Sequence, residues 1–138
     1  MKTAFNKKVT GFTLSELLVV LVIIGILILL ALPVLMPLIS KTRSVEAKQA
    51  LKHLQTLQKT YFYEYSRYSG DLQQLGFEQE ALVTANEGGQ ANYMVEIVNY
   101  TSNTFLARAT AVVDFDGDGQ FNVWEIDQLG NLVEVVPD

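Results

Sequence analysis

Two groups of residues in this chain have the types and spacing that chemistry requires. The first is Asp114 to Glu125, DFDGDGQFNVWE. Its DxDxDG start and twelfth-position glutamate match a calcium loop, with Asp114, Asp116 and Asp118 as carboxylate ligands and Gly119 at the sharp turn. Gln120 would offer its carbonyl, Asn122 fills the ninth place and Glu125 the twelfth. Hard oxygen ligands at this density suit calcium over zinc or copper. Three carboxylates within five residues repel one another unless they share a cation, while the competing reading is an acidic, glycine-rich hairpin turn without an ion. The flanks read as strands, and a helical exit is what normally brings the twelfth ligand round. Asp127 is therefore an alternative to Glu125 in completing the site.

The second group centres on Glu16, which stands directly before 23 uncharged positions, Leu17 to Ile39. A carboxylate at membrane depth costs on the order of 2.5 to 3.5 kcal/mol at the bilayer centre and less near an interface. Glu16 either caps a helix in the headgroup layer, where the N-terminal dipole favours it, or has a partner of opposite charge. Other chemistry finds no support. The chain has no cysteine and one histidine, so disulfides, thiolate zinc sites and cysteine or histidine-based nucleophile systems lack their parts. No acid, base and nucleophile grouping is visible, and His53 reads as a solvated helix residue.

The uncharged segment that follows Glu16 reads as a membrane helix. At about 1.5 Å per residue, 23 positions make roughly 34 Å, enough for a hydrocarbon core of ~30 Å. A secretory signal peptide would have an apolar run of only about 7 to 15 residues and a small-residue cleavage site, which LPVLMPLIS is not. Orientation stays open on charge, because Lys2, Lys7 and Lys8 face Lys41, Arg43, Lys48 and Lys52 across the segment. Gly25 and Pro33 weaken the helix, by a propensity loss of about 1 kcal/mol and by leaving the Leu29 carbonyl unpaired. Local unwinding, close helix packing at Gly25 and a simple kink at Pro33 all satisfy that observation.

Residues 7 to 16, KKVTGFTLSE, run straight into LLVVLVIIGIL. This resembles the prepilin signature of type IV pilins and of the related pseudopilins of type II secretion: a short basic leader, a glycine, a phenylalanine, a glutamate four residues on, then a long apolar helix. Gly25 and Pro33 also fall where that family places a glycine and a proline. Ser15 replaces the aliphatic residue usual there, and Pro37 is an addition. The resemblance implies that residues 1–11 are a leader removed by a prepilin peptidase between Gly11 and Phe12, with methylation of the new Phe12 amine. Glu16 is then the group that neutralises that amine on a neighbouring chain within an apolar bundle. It further implies a bacterial inner-membrane precursor, an inner-membrane assembly platform, and an extracellular filament of this chain or other pilins.

Beyond the membrane segment the helical period continues. Ala47, Ala50, Leu51, Leu54, Leu57, Tyr61, Tyr65 and Tyr68 recur at spacings of three and four, so one helix is predicted from about Phe12 to Tyr65. SVEAKQALKHLQTLQKTYFYEYSRYSGDLQQLGF also resembles the second half of the pilin helix and its following loop, to about residue 77. Tyr61, Phe62, Tyr63, Tyr65 and Tyr68 read as packing under a sheet, with electron conduction or adhesion as the competing uses. From Ser66 to Gln90 the glycines predict a loop, with a short helical turn at Asp71 to Leu75. Alternation then predicts strands from Tyr93 to Val98, Phe105 to Val113, Phe121 to Ile126 and Leu132 to Val136.

The fold class is therefore α+β: a long N-terminal helix, half transmembrane and half amphipathic, packed on an antiparallel sheet of about four strands. The divisions are a leader (1–11), a membrane and polymerisation helix (12–40) and a head (41–138). Net charge is −5 and uneven: residues 70–138 hold twelve acids against Arg108, which argues against nucleic acid as the partner of that half. The reading is a structural filament subunit. A type II secretion pseudopilin and a membrane-tethered calcium-binding module are the competing readings; filaments on sheared cells distinguish the last from the first.

Overall fold

The computed structural model describes residues 11–85 and 88–137, apart from the Met36 side chain. Residues 1–10 of the expected leader (1–11) lie outside the described residues. The first element, α1 (Leu14–Tyr65), starts at a reciprocal cap. The Glu16 amide donates to the Thr13 hydroxyl at 3.3 Å, and the Thr13 amide donates to Glu16 Oε2 at 2.8 Å. Two amides that a helix start would leave unpaired are thus satisfied. At the other end Ser66 takes a left-handed φ of 55°, which stops the helix.

The chain divides between Leu35 and Met36 into two units. In the first, the large apolar side chains from Leu17 to Val34 are 46–73% exposed. No face of this stretch is covered by the described residues, and α1 is long and apolar enough to cross a membrane.

In the second unit, β1 (Tyr93–Tyr100), β2 (Phe105–Ala111), β3 (Val123–Asp127) and β4 (Leu132–Val136) form an antiparallel meander in the order β1-β2-β3-β4. Alternation puts Tyr93 and Val95 of β1, Phe105, Ala107, Ala109 and Ala111 of β2, and Ile126 of β3 on one face. These pack with Ala47, Leu51, Leu54 and Tyr61 of α1. Small side chains along central β2 leave room for Leu51 and Leu54, which are completely buried.

The loop between α1 and β1 is tied down by polar groups. Gln58, wholly buried, donates to the Ser69 carbonyl at 2.6 Å and accepts from the Ser69 amide at 3.1 Å. The predicted helical turn forms, with the Leu75 amide donating to the Asp71 carbonyl, and Gly76 closes it at φ 75°. Farther on, Gln79 lies along β1: its Oε1 accepts from the Val95 amide at 2.9 Å and its Nε2 donates to the Tyr93 carbonyl at 3.1 Å.

Several expectations change: β1 runs on to Tyr100 and not Val98, and β2 ends at Ala111 and not Val113. The third strand starts at Val123 and not Phe121, because Asn122 turns its amide inward while Phe121 is exposed. The aromatic group divides: Tyr61 is in the core, Phe62 and Tyr68 stack at 4.8 Å on the way to Phe105, and Tyr63 and Tyr65 face solvent.

Candidate functional site

Around the helix start, Gly11 and Phe12 are exposed, and a Cβ built on Gly11 meets nothing within 4 Å. Glu16 Oε2 accepts from both the amide and the hydroxyl of Thr13, at 2.8 and 2.9 Å. The capping role weighed for Glu16 is therefore present in the single chain. Among the described residues nothing bonds its other oxygen, Oε1, which leaves that atom for a cation. Thr13 escaped the reading from sequence, although its Thr-x-x-Glu spacing is a helix-start signature. A Cβ on Gly25 also meets nothing within 4 Å, so within this chain the glycine admits no neighbour. Pro33 lies inside α1, whose helical range continues through it.

The Asp114 loop connects β2 to β3. Asp114 Oδ1 accepts from the Gly117 amide at 2.7 Å and Oδ2 from the Gly119 amide at 2.9 Å. Gly117 and Gly119 have φ of 81° and 88°, conformations that side chains resist. The Asp116 and Asp118 carboxylates accept from the Asp118 and Gln120 amides, and Gln120 Nε2 adds a bond to Asp118. One carboxylate oxygen from each of Asp114, Asp116 and Asp118 lies within 4.8 Å of the others. The Gly119 amide holds the Asp114 carboxyl below its ordinary value; slight desolvation opposes this, and the Gly117 amide assists.

Three oxygen donors this close fit a hard cation, and each retains lone pairs beyond those given to amides. The other expected ligands are not brought to them. Glu125, on β3 directly opposite Arg108 of β2, pairs with that guanidinium at 2.7 Å. Asn122 is fully buried: Oδ1 accepts from the Tyr93 hydroxyl and the Trp124 indole, both at 2.7 Å, while Nδ2 donates to Glu134 and the Val136 carbonyl. Asp127 clamps the β3–β4 turn through Leu129 and Asn131. Burial pushes its carboxyl upward, but the bonds from Asn131, Leu129 and Gly130 outweigh that and leave it lowered. Glu125 and Asp127 are kept away because the loop exits into a strand, whose alternation puts both on the face turned from α1. Asn122, just before that strand, is held instead by its partners on β1 and β4.

Residues that the pattern did not single out tie α1 to the sheet. Glu46 accepts from the Asn92 amide, the Asn92 side chain and the Tyr93 amide at 2.7, 2.8 and 3.2 Å. Lys48 Nζ sits 4.2 Å over the Trp124 ring, and Lys52 Nζ donates to the Gly130 carbonyl at 2.8 Å.

Comparison with known proteins addresses both ends of α1. Residues 6–32 match the family model described as the prokaryotic N-terminal methylation motif. Residues 33–120, well over half of the chain, match the model described as type IV minor pilin ComP, DNA uptake sequence receptor. The type IV major pilin protein PilA of Myxococcus xanthus (strain DK1622) is 43% identical over 76 residues, 55% of this chain and 34% of that protein. The match spans about a third of that relative's length.

Proposed function

Since the chain belongs to the type IV pilin family, whose members are structural subunits and not enzymes, we propose that it is inserted in the inner membrane, processed and polymerised into a filament. The observation that carries this reading is the methylation motif at residues 6–32, lying over a helix whose large apolar side chains have no cover within the chain. Prepilin peptidase cleaves after Gly11 and the Phe12 amine is methylated. In the filament, the Phe12 amine of one copy pairs with Glu16 of another. Oε2 keeps the cap of its own helix, so Oε1 is the atom for that pairing. Gly25 and Pro33 let the helix loosen as the assembly platform moves the subunit out of the bilayer.

Mass spectrometry of protein sheared from cells tests this. The mature chain begins at methylated Phe12, and a bulky residue at Gly11 blocks processing; assembled protein that retains Met1 or Lys2 overturns the reading. The DNA receptor role in the matched description does not carry over to the sheet half, where twelve acids in residues 70–138 stand against Arg108, itself paired with Glu125. A secretion pseudopilin shares the N-terminal features, but the similarity to a major pilin favours a pilus.

A calcium ion held by Asp114, Asp116 and Asp118 is a further part of the proposal. Its support is the donor set: three carboxylate oxygens within 4.8 Å on an exposed loop, with water and backbone oxygens to complete the six to eight ligands that calcium takes. The ion would neutralise the carboxylates and restrain the β2–β3 connection.

A further inference from the structure

The lysines of α1 form a row. Lys41, Lys48, Lys52 and Lys59 follow one another at seven, four and seven residues, and the eighteen from first to last are about five turns of helix, roughly 27 Å. The two middle lysines locate the row. Lys48 reaches Trp124 of β3 and Lys52 reaches Gly130 in the β3–β4 turn, so the row borders the β4 side of the sheet. Lys41 and Lys59 are exposed and make no ion pair among the described residues.

The other flank of α1 is acidic. Glu46 binds Asn92 and Tyr93 at the start of β1, and the His53 ring lies 6.0 Å from that of Phe77, so this flank borders the β1 side. A groove of about 1020 Å³ between the 70–79 loop and β1 is lined by Asp71, Glu78 and Glu96 beside Leu72, Phe77 and Ile97, with no basic residue. Glu80 lines the adjoining cavity of about 280 Å³. The carboxylates of Glu78, Glu80 and Glu96 are exposed and make no ion pair among the described residues; Arg108, opposite Glu96 in strand register, is engaged by Glu125.

We propose that the lysine row of one copy docks on the acidic groove of the next, an inference that rests on the filament reading above. Opposite charges lie on opposite flanks, so two copies satisfy both only head to tail. A heterologous contact of this kind propagates into an open helical array and does not close as a twofold dimer. Nucleic acid is a poorer occupant of the row. Two of its four lysines are committed within the head, and the chain as a whole carries −5.

The test uses the full chain in cells that assemble it. Zero-length carbodiimide coupling of sheared native filaments, read by mass spectrometry, joins Lys41 or Lys59 to Asp71, Glu78, Glu80 or Glu96 of another copy. In parallel, Lys41→Glu with Lys59→Glu lowers filament yield about tenfold, as does Glu78→Lys with Glu96→Lys, and combining all four restores it. A tenfold loss is equivalent to about 1.4 kcal/mol. Absence of filaments from the native chain overturns the filament reading itself. Filaments with no such crosslinks, or unchanged by either reversal, overturn the docking proposal alone. So do filaments of normal yield in which the lysine reversal abolishes retention of duplex DNA, which would make the row a phosphate surface.

Discussion

Asn122 occupies the ninth place of a calcium-like loop, yet its amide holds four groups of the head together. Asn122→Ala leaves the Tyr93 hydroxyl and the Trp124 indole without their acceptor. At about 1 to 3 kcal/mol per abandoned buried group, denaturant unfolding of the head (residues 36–138) should show a loss of about 3 kcal/mol. Asp114, Asp116 and Asp118 were legible because they fall within five residues of one another and need no long-range geometry. Asn122 and Glu125 were not, since the twelve-residue pattern presupposes a helical exit. In a strand, Trp124 and Ile126 face inward and Glu125 is left outward beside Arg108. If the loop takes the proposed ion with a Kd near 0.1 to 1 mM, calcium at about 1 mM would stabilise the head by about 1 kcal/mol. The head should therefore melt a few degrees higher in calcium than in EDTA, and Asp114→Ala should abolish the difference. Without metal, the lowered Asp114 pKa has a definite sign. Its stabilisation is present above the unfolded carboxyl value of about 3.9 and lost as pH falls through the lower folded value, which an NMR titration of Asp114 reads directly.

At the scale of elements, the long helix and four strands follow from periodicity, and the core face of β2 is built largely from alanines. Ala107, Ala109 and Ala111 of β2 leave room for Leu51 and Leu54, so added volume has nowhere to go. Ala109→Leu should destabilise the head by about 1 to 3 kcal/mol in urea, while a change at Thr110, half-buried on the opposite face, should cost less. Period alone could not reveal Gln58. It stands on the buried face of α1 among apolar residues and is satisfied only by the backbone of Ser69, a partner set by a loop whose path the period does not encode. The boundary of β3 was missed for the same kind of reason: an alternating run counts Phe121 and Asn122 as strand, whereas Asn122 has side-chain partners on both β1 and β4.

For the whole molecule, the proposed docking makes charge separation the determinant of how copies meet. If head-to-tail contacts between exposed charges hold the heads, salt weakens them: the screening length falls from about 10 Å at 0.1 M to about 3 Å at 1 M. Filaments should then soften or fragment as salt rises, by light scattering or electron microscopy, while head melting moves little because its core is apolar. Assembly also crowds many copies of one sheet along a fibre, a circumstance in which an open edge recruits strands from its neighbours. Gln79 presents one donor and one acceptor to β1, at the Tyr93 carbonyl and the Val95 amide, and so stands in for a strand without offering a further rung. Gln79→Ala should leave the head folded but raise its thioflavin-positive aggregation on storage. In the proposed filament this side-chain amide would guard the β1 edge, helping to keep ordered polymerisation of folded units apart from cross-β growth.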